Sequence, residues 1–185
     1  MPREPLDHIA DVVLVGRAAD GDTAAFGVVV RRHGPLMRAY VARILGNEAD
    51  ADDVVQEAVL QAWQRIDSLA DAANVRAWLF RIAANKAFDR LRRRHPHDDL
   101  TDVADLEHPV ASRPDHVVAV RMQVEEVARI VQELPDAQRA VWVMREVGGA
   151  SYADIAEQTG MPAATVRGML ARARRRVMDR MEGWR

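Results

Sequence analysis

Apolar residues recur in this chain at three- and four-residue spacing, and no run alternates apolar with polar residues as a half-buried strand requires. Segments 8 to 20, 22 to 45 and 48 to 66 all carry this pattern, the last through Val54, Val55, Ala58, Val59, Ala62 and Trp63. Gly46-Asn47 and the stretch Asp67 to Asn74 interrupt it. A fourth helix is predicted from Val75 to Arg94, with Trp78, Leu79, Ile82, Ala83 and Leu91 as its apolar stripe, stopping before His95-Pro96. Residues 97 to 114 lose the periodicity and gather aspartates and prolines, which is the composition of a flexible linker. Beyond it the spacing predicts a helix over 115 to 133, stopped by Leu134-Pro135, and a second from about Ala137 that ends near Gly148-Gly149. The fold class is therefore all-α: two small helical domains, 1 to 96 and 115 to 185, joined by the linker.

With 49% hydrophobic residues in 185, the chain can bury real cores. No run approaches the roughly 18 apolar residues of a membrane span, and MPREPLDHIADVV lacks the basic start and apolar run of a signal peptide. Cytoplasmic residence without membrane insertion is expected. The absence of cysteine excludes disulfides, thiolate nucleophiles and sulfur-built zinc sites. No glycine-rich phosphate loop is present, so no cofactor is expected.

A net charge of -2 argues against nucleic-acid binding only if the charges are evenly spread, and they are not. Glu48, Asp50, Asp52, Asp53, Glu57, Asp67 and Asp71 face only Arg65 in their stretch. Arg76, Arg81, Lys86, Arg90, Arg92, Arg93 and Arg94 then face only Asp89, and a second basic block runs from Arg167 to Arg180. Two basic blocks imply two anionic contacts.

Ser151 and Asp154 have the spacing of a capping box at the start of a short helix, Tyr152 to Gln158. Thr159-Gly160 supplies a turn, and Pro162 suits the first turn of another helix. Ile155, Ala156, Gly160, Met161 and Val166 then fall at the apolar, small and turn positions of a helix-turn-helix. Its second helix exposes Thr165, Arg167, Arg172, Arg174, Arg175 and Arg176 around a stripe of Val166, Leu170, Ala173 and Val177. Such a helix fits a major groove, where guanidinium groups pair with guanine edges or phosphates.

In the first domain, Asp50, Asp53 and Glu57 share one helical face, which needs water or a basic partner. The segments DADDVVQEAVLQAW, VRAWLFRIAANKAFDRLRRR and LPDAQRAVWVMREVGGASYADIAEQTGMPAATVRGMLARARRRV, in this order, resemble a bacterial sigma factor of the extracytoplasmic-function (ECF) group of the sigma-70 family. The resemblance covers nearly the whole chain. It implies a transcription-initiation subunit without catalytic activity, whose region 2 domain docks on core RNA polymerase through Asp50, Asp52, Asp53, Gln56 and Glu57. It implies that Arg76, Arg81, Asn85, Lys86 and Arg90, with the loop Asp67 to Asn74, open and read the -10 promoter element. Trp78 is expected in the core. Region 4 is implied to read the -35 element through Thr165, Arg167, Arg172, Arg174 and Arg175. An anti-sigma factor is the implied regulator of what would be a stress response.

The chain departs from the family pattern at Ala164, Gly168, Met169 and Ala171, where a glycine, a serine-arginine pair and a bulky residue are usual. Weaker or shifted -35 recognition is expected, with general DNA affinity kept by the remaining arginines. Two other readings compete. Asp50, Asp53 and Glu57 are spaced to hold Mg²⁺ in a nuclease, although an acidic stripe is more often a solvated or partner-binding face. A stand-alone regulator would instead bind an operator tightly without polymerase. The histidines His8, His33, His95, His97, His108 and His116 show no ligand spacing and are expected in linker and surface positions.

Overall fold

The computed structural model describes residues 6–94 and 116–182, within two compact units of which one ends at Arg90 and the other begins at Leu91. The helices are α1 (Asp11–Ala19), α2 (Thr23–Leu45), α3 (Ala51–Gln64), α4 (Val75–Arg94), α5 (His116–Gln132), α6 (Asp136–Glu146), α7 (Tyr152–Thr159) and α8 (Ala163–Glu182). Short 3-10 turns occupy Leu6–His8, Ile66–Ser68 and Ala72–Asn74, and no strand occurs among the described residues. The all-α, two-domain expectation holds. The linker reading of 97 to 114 falls outside the described residues.

In the first unit α2 is central, packed on α1 and α3. Leu14 and Val15 of α1, Val29, Met37, Val41 and Ile44 of α2, and Val54, Ala58 and Ala62 of α3 are all buried. Asp22 starts α2 by accepting from the backbone N–H groups of Ala24 and Ala25, both at 3.0 Å. The helix continues through Pro35, which has no N–H to donate, with buried Val28 and Val29 before it and Met37, Tyr40 and Val41 after it. It ends at Gly46, whose φ of 74° is left-handed. The third predicted helix is shorter than expected: α3 stops at Gln64, and the chain tightens into a 3-10 turn that buries Ile66.

One histidine contradicts the surface expectation. His33 is buried, with Nε2 2.8 Å from Asp11 Oδ2, because it lies on the apolar stripe of α2, four residues after Val29 and four before Met37. Arg32 also bonds Asp11 and donates to the Ile9 carbonyl at 3.1 Å. His8 is exposed, whereas His95, His97, His108 and the His116 side chain lie outside the described residues.

The second unit packs α6, α7 and α5 against α8. Ile130, Leu134, Val141, Met144, Ile155, Val166, Met169, Leu170 and Ala173 form its core. Arg139 is buried but satisfied, donating to the Leu134 carbonyl at 3.0 Å and to Asp136 at 2.6 Å across the α5–α6 corner. The capping box forms: Asp154 N donates to Ser151 Oγ at 3.1 Å, and Ser151 N donates to Asp154 Oδ2 at 2.9 Å. Thr159 closes α7 and does not open the turn, because its hydroxyl donates to the Ile155 carbonyl at 2.7 Å. Gly160, at φ 70°, makes the turn.

Ile155→Ala is expected to destabilise the second unit by about 3 kcal/mol through the cavity it leaves, and Ser151→Ala by about 1 kcal/mol through the lost cap; both are read from denaturant midpoints. A pH test concerns Asp11. Burial raises its pKa, but the hydrogen bonds from His33 and Arg32, with their charges, outweigh burial and hold the carboxyl below its ordinary value. Because the folded pKa is the lower one, this stabilisation is complete above the unfolded carboxyl range and disappears as pH falls through the folded value. Asp11→Asn should therefore melt below wild type at neutral pH, and the gap should begin to close only below about pH 4, as the pH falls from the unfolded carboxyl range toward the lower folded value; equal melting at neutral pH would contradict the assignment.

Candidate functional site

Burial of Ala51, Val54, Ala58 and Ala62 leaves the opposite side of α3 with Asp52, Asp53 and Gln56 exposed and Glu57 half-buried. Carboxylates in a first turn are favoured by the amide dipoles there. Arg38 of α2 reaches this end of the helix, donating through Nε to Asp52 at 2.8 Å and through Nη2 to Glu48 at 3.3 Å. Those bonds hold its guanidinium more firmly protonated. Arg38 lies outside the basic blocks of the sequence; its pairing depends on α2 and α3 packing side by side.

The structure brings Asp50, Asp53 and Glu57 together around one cation. Arg90 of α4 places its terminal nitrogens 3.7 Å from Asp50, 3.9 Å from Asp53 and 3.8 Å from Glu57. Lys86, one turn earlier, lies 4.0 Å from Glu57. Residues expected to face polymerase and residues expected to face DNA therefore meet in this one patch. Asn85 Oδ1 and Arg90 Nε are buried beside it without hydrogen-bond partners.

Further up α4, Arg76 and Arg81 are exposed, while Trp78, expected in the core, is half-buried. The Arg76 guanidinium lies 5.5 Å from the centre of the Phe80 ring, and Phe80 packs on buried Tyr40 with ring centres 5.1 Å apart. Burial pushes the Tyr40 hydroxyl pKa up. In the preceding loop Asp67, Asp71 and Asn74 are exposed, and Asp71 fixes the local turn by accepting from Ala73 N at 3.0 Å and Asn74 Nδ2 at 2.7 Å.

On α8, Arg167, Arg172 and Arg175 are exposed and Thr165 is half-buried, opposite the stripe of Val166, Met169, Leu170 and Ala173. Arg174 differs from its neighbours. Its Nε and Nη2 donate to one oxygen of Glu146 at 3.0 and 2.7 Å, and its Nη1 donates to the Tyr152 hydroxyl at 3.4 Å. At the far end of the helix Arg180 pairs with Glu133 at 3.0 Å and ties α8 to the end of α5. Glu146 and Tyr152 escape a reading by sequence because they lie 28 and 22 residues from Arg174.

Two families match the chain: Sigma-70 region 2 over residues 29–96, and Sigma-70, region 4 over residues 124–177. The RNA polymerase sigma factor NccH of Alcaligenes xylosoxydans xylosoxydans is 34% identical, with 91% of this chain and 92% of the relative covered. The ECF RNA polymerase sigma-E factor of Escherichia coli is 31% identical, with 95% and 96% covered. CnrH, the sigma factor of Cupriavidus metallidurans, is 37% identical with 89% and 91% covered. Its solved structure in complex with the cytosolic domain of CnrY matches with a TM-score of 0.56, covering 94% of this chain and 98% of that one.

Proposed function

We propose a working arrangement for this chain from the premise that it belongs to the sigma-70 family, in the extracytoplasmic-function group, and directs RNA polymerase to promoters. Residues 1 to 96 form the domain that binds core polymerase and the -10 element, 97 to 114 the linker, and 115 to 185 the domain that reads the -35 element. The observation that carries this division of labour is the charge layout: exposed carboxylates on α3, and exposed arginines on α4 and on the second helix of a complete helix-turn-helix.

Asp52, Asp53 and Gln56 are the accessible docking residues, and Asp50 and Glu57 support them from positions beside Arg90. Arg76 and Arg81 meet the -10 strand first, with Phe80 under Arg76 offering an apolar surface to an unstacked base. Asn85, Lys86 and Arg90 line the same helix closer to α3, where DNA phosphates compete with carboxylates for the two cations. Thr165, Arg167, Arg172 and Arg175 contact the -35 duplex by base edges and phosphates. The chain performs no chemistry of its own and works in the cytoplasm, beside polymerase and DNA; no helix among the described residues is long and apolar enough to cross a membrane.

An anti-sigma factor is the partner that silences it. CnrH, a relative, is found in complex with the cytosolic domain of CnrY. Here Leu36 and Leu60 in one unit, and Val147 and Met178 in the other, are exposed apolar side chains available to such a clamp.

Run-off transcription from a genomic promoter library with purified core polymerase tests the assignment. Transcripts are expected with wild type, and to fall at least about tenfold with Arg172→Ala, the scale of one lost base or phosphate contact, and with Asp53→Arg. An absence of transcripts together with tight DNA binding in the absence of polymerase would favour the stand-alone regulator.

A further inference from the structure

By helical periodicity the α8 side chains fall into three rows outside the buried stripe: Thr165 with Arg172, Arg167 with Arg174, and Arg175 opposite the core. Charge alone makes Arg174 as good a DNA ligand as Arg172. Its surroundings do not. Its three nitrogens each donate within the domain, Nε and Nη2 to the same Glu146 oxygen and Nη1 to the Tyr152 hydroxyl. The pairing with Glu146 and the bond to Tyr152 hold the guanidinium more firmly protonated. Tyr152 is itself held in place. Arg145 lies 5.0 Å from the centre of the Tyr152 ring and donates to the Ala150 carbonyl at 2.8 Å, fixing the corner between α6 and α7. Among the described residues, neither Arg172 nor Arg175 has an ion-pair partner.

We propose that Glu146 is a positioning residue for promoter recognition: it withholds Arg174 from DNA, so that Arg172 and Arg175, with Thr165 and Arg167, make the contacts of α8. Arg174 is the fastening between the recognition helix and the α6–α7 corner. Three of its five N–H donors are engaged, and a phosphate that reached the other two would lie beside the Glu146 carboxylate, whose like charge repels it. Glu146 thus limits the phosphate count of the helix and leaves more of its affinity to base contacts. This inference rests on the -35 reading of α8.

The test uses holoenzyme reconstituted from core polymerase and the full chain, bound to a promoter fragment from the run-off experiment. Its dissociation constant is measured by fluorescence anisotropy across a salt titration. Each phosphate contact contributes about 0.9 to the slope of log affinity against log salt, roughly a threefold to fourfold change in affinity over a fourfold change in salt. Arg172→Ala is the reference for a lost contact if it contacts phosphate. Arg174→Ala should leave the slope unchanged. Glu146→Gln should steepen it by about one contact, and the double variant Glu146→Gln with Arg174→Ala should return to the wild-type slope.

A slope lowered by about one contact in Arg174→Ala would overturn the proposal. So would a steepening by Glu146→Gln that persists in the double variant, since the carboxylate would then act by its field alone and not through Arg174. If Glu146→Gln fails to fold by circular dichroism, Arg174→Ala and Arg174→Lys still decide: equal slopes support the proposal, and a loss in the alanine variant that lysine restores overturns it. A wild-type holoenzyme that forms no promoter complex would remove the -35 reading itself, and this inference with it.

Discussion

Arg90 lies where three carboxylates of the α3 segment converge, and the relation between the proposed polymerase-facing and DNA-facing sides of the first unit depends on that convergence. At 3.7 to 3.9 Å, with the arginine side chain about a quarter exposed, these are loose pairs. Each is worth at most about 1 kcal/mol. Weak pairs suit the partner exchange proposed for this surface. In the proposed arrangement, polymerase takes up the carboxylates and DNA the cations without either having to break a deeply buried bridge, which is much the costlier event.

The same physics sorts the arginines of the second unit. A guanidinium that finds a carboxylate within its own domain becomes part of the scaffold, as with Arg139 on Asp136 and Arg180 on Glu133. Those that face solvent from α8 remain available to an external anion. The overall charge of -2 therefore says little about DNA binding, because it sums cations engaged inside the fold with cations presented to solvent.

Much of this architecture is legible in the sequence. Period and breakers place the helices to within a few residues, and the Ser151–Asp154 spacing with Gly160 identifies the turn of the helix-turn-helix. The grouping of Asp50, Asp53 and Glu57 also follows from spacing. Their partner does not, because Arg90 belongs to another helix whose packing angle no local pattern encodes. Glu146 is invisible for the same reason, being 28 residues from the arginine it binds. His33 is different. Its position between Val29 and Met37 on one stripe is a signal for burial, and a search for metal-ligand spacing alone passes over it.

The most direct test of the central claim, that exposed carboxylates of α3 dock this chain on core polymerase, is the affinity of the purified chain for core enzyme without DNA. Competition binding would compare wild type with Asp52→Arg and Arg172→Ala, each checked for an unchanged thermal melt. The expected result is a loss of at least about tenfold for Asp52→Arg, the scale of one charged contact reversed at an interface, with Arg172→Ala equal to wild type. Wild-type affinity in Asp52→Arg would contradict the claim and move the docking surface away from this face of α3.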